Sequence, residues 1–170
     1  MILFSLGKDR PGIVDDVSTV LFEHEANIED SRMAVMGGRF SIMTLFSCET
    51  DQLEAIKNGL QGLKVLGLDT SVHEAEEPTA LPRKAALPLK MEIKAIDHPG
   101  IVQKVVHILR KHNVNVESLN TQVSRAPLSG APLFNLNLEA AVPAEKPISE
   151  IKGELKALAT DMNLDINFYT

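Results

Sequence analysis

Tryptophan is absent from the 170-residue chain, and tyrosine and cysteine occur once each. With so few aromatic rings there is no stacking platform for single-stranded nucleic acid. The lone thiol, Cys48, cannot close a disulfide within the chain, which fits a reducing compartment. Basic excess is missing too. Lys and Arg number 17 against 23 Asp and Glu, a formal net charge of −6, whereas a protein that grips DNA by its phosphates needs a cationic footprint. No apolar run approaches the ~20 residues that span a bilayer. Met1 leads straight into Ile2-Leu3-Phe4-Ser5-Leu6, too short and too uncharged for a secretory signal, so the expected location is the cytoplasm. GxSxG, Walker, GxGxxG and HExxH motifs are all missing, so no catalytic residue, metal or cofactor is expected. What remains is 44% hydrophobic and 24% charged, the composition of a globular protein with ample core.

The positive signal is a repeat. Asp9-Arg10-Pro11-Gly12-Ile13-Val14 returns as Asp97-His98-Pro99-Gly100-Ile101-Val102, an offset of 88 residues. The offset holds without a gap through Val17, Leu21, His24, Asn27 and Glu29, matched by Val105, Leu109, His112, Asn115 and Glu117. Ten of the 21 positions from 9 to 29 are identical after the shift. Two copies of one module follow, at residues 1–76 and 89–170. The stretch 77–88 holds Pro78, Pro82 and Pro88 and reads as a fairly stiff linker.

Each copy reads strand, helix, strand, strand, helix, strand. In the first, strands are expected at 1–6, 28–36, 39–47 and 68–75, with helices at 11–25 and 51–64. Ile13, Val17, Val20 and Leu21 fall on one helical face, and Pro11 suits the first helical turn. Gly37-Gly38 between apolar runs signals a tight hairpin. In the second, strands are expected at 89–95, 115–124, 133–140 and 163–169, with helices at 100–112 and 148–160. The fold class is α+β: two tandem ferredoxin-like βαββαβ modules, each an antiparallel four-stranded sheet with both helices on one face.

A βαββαβ module with D-x-P-G-[IV]-V opening its first helix, and Asn-[IV] sixteen residues beyond the proline, resembles the ACT domain. Both copies carry both signatures. Two such modules with Pro127-x-Ser129-Gly130-x-Pro132-Leu133-Phe134 in the second hairpin resemble the glycine cleavage system transcriptional repressor family. The resemblance implies a non-catalytic regulator that senses a small amino acid, glycine first, and modulates a protein partner. That partner would be a DNA-binding regulator, without direct contact to nucleic acid. The alternative is a regulatory subunit of an amino-acid biosynthetic enzyme, such as the small subunit of acetolactate synthase.

The loop chemistry supports a ligand on its own terms. A helix N-terminus beside Gly12 or Gly100 offers free N–H groups and the positive dipole end to a carboxylate. Asn27 and Asn115 supply amides that donate and accept, and Asp9 and Asp97 can face an ammonium. Together they suit a zwitterion. The candidate ligand-binding set is therefore Asp9, Pro11, Gly12 and Asn27 with Asp97, Pro99, Gly100 and Asn115. The plainer reading has the aspartates capping helices and the asparagines tying down turns.

Other polar residues read as structural. His24 and His112 stand near helix ends, where an imidazole meets the dipole. Cys48 reads as a small buried filler, and Asp15-Asp16 as a solvated helix face. Lys8 and Arg10 are surface cations that can attract an anion.

Comparing the copies isolates one surface. Lys90, Glu92 and Lys94 alternate with Met91, Ile93 and Ala95, so that strand has a wet face. The 88-residue offset puts Ile2, Phe4 and Leu6 at those wet positions. Aligning Phe40 with Phe134 puts Met43 and Leu45 where Asn137 and Glu139 lie. The first module is expected to carry an apolar patch on its outer sheet face, covered by the second module, by the linker or by another copy of the chain, the last of which makes a homodimer.

Overall fold

Alternation of apolar residues sets the strands, and the computed structural model, which describes residues 1–75, 85–127 and 129–169, shows what each side meets. The chain divides into two units, Met1–Thr79 and Ala80–Thr170. In the first, β1 (Ile2–Lys8), α1 (Ile13–Glu23), β2 (Asn27–Met36), β3 (Arg39–Ser47), α2 (Leu53–Gly62) and β4 (Leu68–His73) follow in order, with a 3-10 turn at Leu63–Leu66. In the second, the same order runs β5 (Ala86–Ile96), α3 (Ile101–Lys111), β6 (Asn115–Arg125), β7 (Pro132–Pro143), α4 (Ile148–Asp161) and β8 (Asp165–Tyr169). The sheets are β2-β3-β1-β4 and β6-β7-β5-β8, antiparallel throughout.

Each sheet buries alternate residues of its central strands under its two helices. In the first unit Leu3, Phe40, Ile42 and Phe46 close on Ile13, Val17 and Leu21 of α1 and on Ile56 and Leu60 of α2. In the second, Met91, Ile93, Leu136 and Leu138 close on Ile101, Val105, Leu109, Ile151 and Leu155. The repeated Val and Leu positions are therefore the α1 and α3 core faces. Gly37 and Gly38 both have positive φ, 56° and 73°, as a two-residue hairpin turn requires.

Several boundaries differ from the sequence expectation. Pro11 and Pro99 lie in the turn before the helix, because Gly12 and Gly100 take left-handed backbone (φ 90° and 99°) and the helices begin only at Ile13 and Ile101. The strand expected from residue 89 begins at Ala86 and includes Pro88. β8 pairs only with Lys90–Lys94, so at Pro88 the strand is a sheet edge, where a missing N–H is tolerated. Residues 77–84 of the expected linker lie outside the described residues, as does Leu128 of the second hairpin. Cys48 is only half-buried, packed at the margin of the first core.

The copies diverge where their elements meet. Gly7 pairs with Leu68, and a Cβ there would stand 2.7 Å from the Gly67 carbonyl oxygen. In the second unit β8 stops one pair short, and the matching residue is Ala95. His24 and His112 are both helix C-cap residues. In the first unit α2 presents Gly59, whose added Cβ would fall 2.8 Å from Val20. In the second, α4 presents Glu154, which ties the helices together. Lys111 Nζ donates to its Oε1 at 2.9 Å, and His112 Nε2 lies 3.1 Å from the same oxygen. His112 is 6% exposed. Hydrogen bonding from Lys111, then from His112, holds the Glu154 carboxyl below the usual carboxylate range.

Two predictions follow from these cores. Ser5 Oγ and Thr44 Oγ1 are buried without hydrogen-bond partners, where the second unit has Ile93 and Leu138. Thr44→Val keeps the branched shape, removes the orphaned hydroxyl, and is expected to stabilise the protein by about 1 kcal/mol in denaturant titration. Because the Glu154 carboxyl is depressed on folding, its contribution is present above the unfolded carboxylate pKa of ~4.3 and is lost as pH falls through the folded value. Glu154→Gln should therefore lower Tm at pH 7, and the difference from wild type should close as the pH is taken below about 4.

Candidate functional site

The two Pro-Gly loops are built alike. The Asp9 N–H donates to the Gly38 carbonyl at 3.0 Å and the Asp97 N–H to the Pro132 carbonyl at 2.9 Å, so each loop is pinned to the hairpin of its own sheet. The second hairpin is closed by Ala126 N–H to the Ala131 carbonyl (2.8 Å) and Gly130 N–H to the Ala126 carbonyl (2.9 Å). The residue before each proline reaches over it: Arg10 Nη1 donates to the Pro11 carbonyl at 3.2 Å, and His98 Nδ1 lies 3.1 Å from the Pro99 carbonyl. The left-handed glycine then turns the chain into the helix, and its carbonyl accepts the first helical bond, from Asp16 or from Lys104.

Neither helix start has a side-chain cap, so Asp9 and Asp97 do not cap α1 and α3. The first-turn N–H groups have no side-chain acceptor at the cap and point out of the helix end, the arrangement that receives an anion. The electrostatics differ between the copies. The first turn of α1 carries Asp15 and Asp16, with Arg10 Nη2 held on Asp16 Oδ2 at 2.6 Å. Arg10 is thus engaged within its own loop. The matching turn of α3 has no acidic residue and carries Lys104. A carboxylate meets less repulsion at Gly100 than at Gly12.

The asparagines are elsewhere. Asn27 and Asn115 open β2 and β6, at the far end of α1 and α3 from the Pro-Gly loops. Eleven helical residues separate the two ends, roughly 16 Å at 1.5 Å per residue. Asp9 and Gly12 line a depression of about 370 Å³ with Met33, Val35 and Phe40. Asn27 lines another, of about 490 Å³, with Ser18, Phe22 and Ala26. Asn115 lines a cleft of about 520 Å³ with Asn113, Glu117, Pro88 and Pro143. Within one module the structure brings the aspartate, proline and glycine together and does not bring the asparagine to them. A small zwitterion cannot touch both ends.

One cluster leaves no spacing signature in the sequence because its members come from two helices. His112, Glu150 and Glu154 place their ligand atoms within 4.8 Å of one another. Glu150 and Glu154, four residues apart, share a face of α4 that meets the C-cap of α3. Lys111 already neutralises Glu154, donating to both its oxygens at 2.9 and 3.1 Å, so the cluster acts as an ion-pair network between helices.

Comparison with known proteins agrees with the duplicated fold. Residues 1–73 match the family model of the ACT domain. The chain is 28% identical over 165 residues to the glycine cleavage system transcriptional repressor of Escherichia coli, covering 96% of this chain and 85% of that protein. Among solved structures, an unknown protein from Galdieria sulphuraria superposes with a TM-score of 0.83 at 28% identity, covering 98% of this chain and 95% of that one. A structure assigned to a glycine cleavage system transcriptional repressor superposes with a TM-score of 0.69 at 22% identity, covering 99% and 94%, and shares the fold. The chain thus carries an ACT domain over residues 1–73, repeats that fold in its second unit, and resembles the glycine cleavage system transcriptional repressor of Escherichia coli over almost its whole length.

Proposed function

We propose that this protein is a cytoplasmic, non-catalytic regulator that binds a small amino acid, glycine first, and thereby changes its contact with a DNA-binding protein partner. The observation that carries the reading is the pair of uncapped helix starts behind left-handed glycines, each with an aspartate fixed beside it by a backbone bond to the hairpin. The helix N–H groups take the carboxylate and the aspartate takes the ammonium. Of the two loops, the one at Asp97, Pro99 and Gly100 is the principal site, because Lys104 stands where the first module has Asp16. Asp9, Pro11 and Gly12 form the weaker counterpart. Asn27 and Asn115, at the other ends of α1 and α3, lie outside these two sites. Similarity over almost the whole chain to a transcriptional repressor favours this role over a subunit of a biosynthetic enzyme. The net charge of −6 opposes direct binding to DNA.

Two measurements test the reading. In a thermal-shift and calorimetric titration over the twenty amino acids, one small amino acid should raise Tm, by linkage worth about 2.7 kcal/mol at a concentration 100 times Kd. Asp97→Ala and Lys104→Glu should each weaken that binding at least about tenfold, and Asp9→Ala by less. No shift with any amino acid at millimolar concentration would refute the sensing role. In a gel-shift assay the chain alone should leave duplex DNA unretarded at moderate salt, and salt-sensitive retardation would refute action through a partner.

A further inference from the structure

The outer face of the first sheet is apolar at its centre and polar at both edges. Across the central pair, Ile2 stands opposite Leu45, Phe4 opposite Met43 and Leu6 opposite Ser41. Their neighbours Leu3 and Ser5 are buried under the helices, so this set points the other way, as the alternation requires. Phe4 is 43% exposed, Leu6 53% and Met43 43%. On the β2 side the same rows end in Asp30 and Arg32, which pair with each other and share a shallow depression with Ile2, Met43 and Leu45. On the β4 side they end in His73, Ser71 and Asp69, with the His73 ring edge-on to Phe4 at 5.6 Å.

The second module shows that the fold itself does not ask for this. Its matching face carries Lys90 paired with Glu139 at 2.9 Å, Lys94 with Glu92 at 3.0 Å, and the Tyr169 hydroxyl donating to Glu92 at 3.0 Å. The centre of that face is satisfied in water, and its exposed apolar residues, Ile96 and Leu133, lie at one end. An apolar centre inside a polar rim is the anatomy of an interface, and the same face on another copy supplies both an apolar centre and a rim of complementary charge.

We propose that two copies of the chain stack these first-module faces against each other about a two-fold axis parallel to the strands. The charges choose that axis. With it, the β2 edge of one copy lies over the β4 edge of the other, so Asp30 meets His73 and Arg32 approaches Ser71 and Asp69. An axis across the strands would instead lay Arg32 over Arg32. Parallel stacking also suits the aligned packing of twisted sheets. Four strands at about 4.8 Å and seven residues at about 3.3 Å give a face of roughly 19 by 23 Å. With side-chain relief a pair buries on the order of 1,000 Å², the lower end for a specific interface, so the association is concentration-dependent.

Sedimentation of the full chain across a concentration series tests this. The particle mass should halve in Phe4→Glu/Met43→Asn, which installs the residues the second module carries at those positions. A circular dichroism melt checks that the variant is folded. Two rim variants keep the test independent of the core. His73→Asp should weaken association about tenfold, and the exchange Asp30→His/His73→Asp should restore it. A wild-type chain that stays monomeric at every concentration would overturn the proposal. So would a mass that Phe4→Glu/Met43→Asn leaves unchanged, and so would an exchange variant as weak as His73→Asp.

Discussion

One face of each sheet must bury two helices, and every other feature of this protein is arranged around that demand. It fixes alternate positions of the central strands as apolar and leaves the positions between them free. In the second module that freedom is filled with ion pairs between Lys90 and Glu139 and between Lys94 and Glu92. In the first it is filled with Phe4, Leu6 and Met43. The same constraint places the Pro-Gly loops: once β1 or β5 is centred in its sheet, the chain must leave its end and climb over the sheet to start a helix. The left-handed glycine makes that turn.

The sheets and core faces were legible because their signals are periodic and occur twice. The 88-residue offset marks β1, α1, β5 and α3 together, and alternation in β1 and β3 separates core from outer face in the sequence itself. Less legible were features that depend on contacts between elements. Proline before glycine suggests a helix start at the proline, yet a glycine at φ 90° delays the helix to Ile13. Nothing in the spacing of Glu150 and Glu154 announces His112 as their neighbour, because α3 and α4 meet only through the fold.

Of the candidate site residues, the fold keeps the aspartate, proline and glycine together and carries the asparagine to the other end of the helix. Asp9, Pro11 and Gly12 are consecutive in space as in sequence, so their grouping survives folding. Asn27 recurs at a fixed interval from Pro11, but that interval is one helix long, and a helix carries its two ends apart. A constant spacing in a repeat records shared architecture and says nothing by itself about convergence. The asymmetry between Asp16 and Lys104 has more chemical content than the repeat, because it surrounds two similar helix starts with opposite charge.

The hydroxyls of Ser5 and Thr44 have a consequence for how a duplicated chain folds. Tandem modules of similar sequence risk exchanging strands, and hybrid sheets are a typical failure of repeat proteins. Here a strand of one module fits poorly in the other. Ile93 would overfill the pocket that holds Ser5, and Ser5 in the second core would leave a gap and an orphaned polar group beside Leu136 and Leu138. The divergence of the two cores thus disfavours hybrid sheets assembled from strands of both modules.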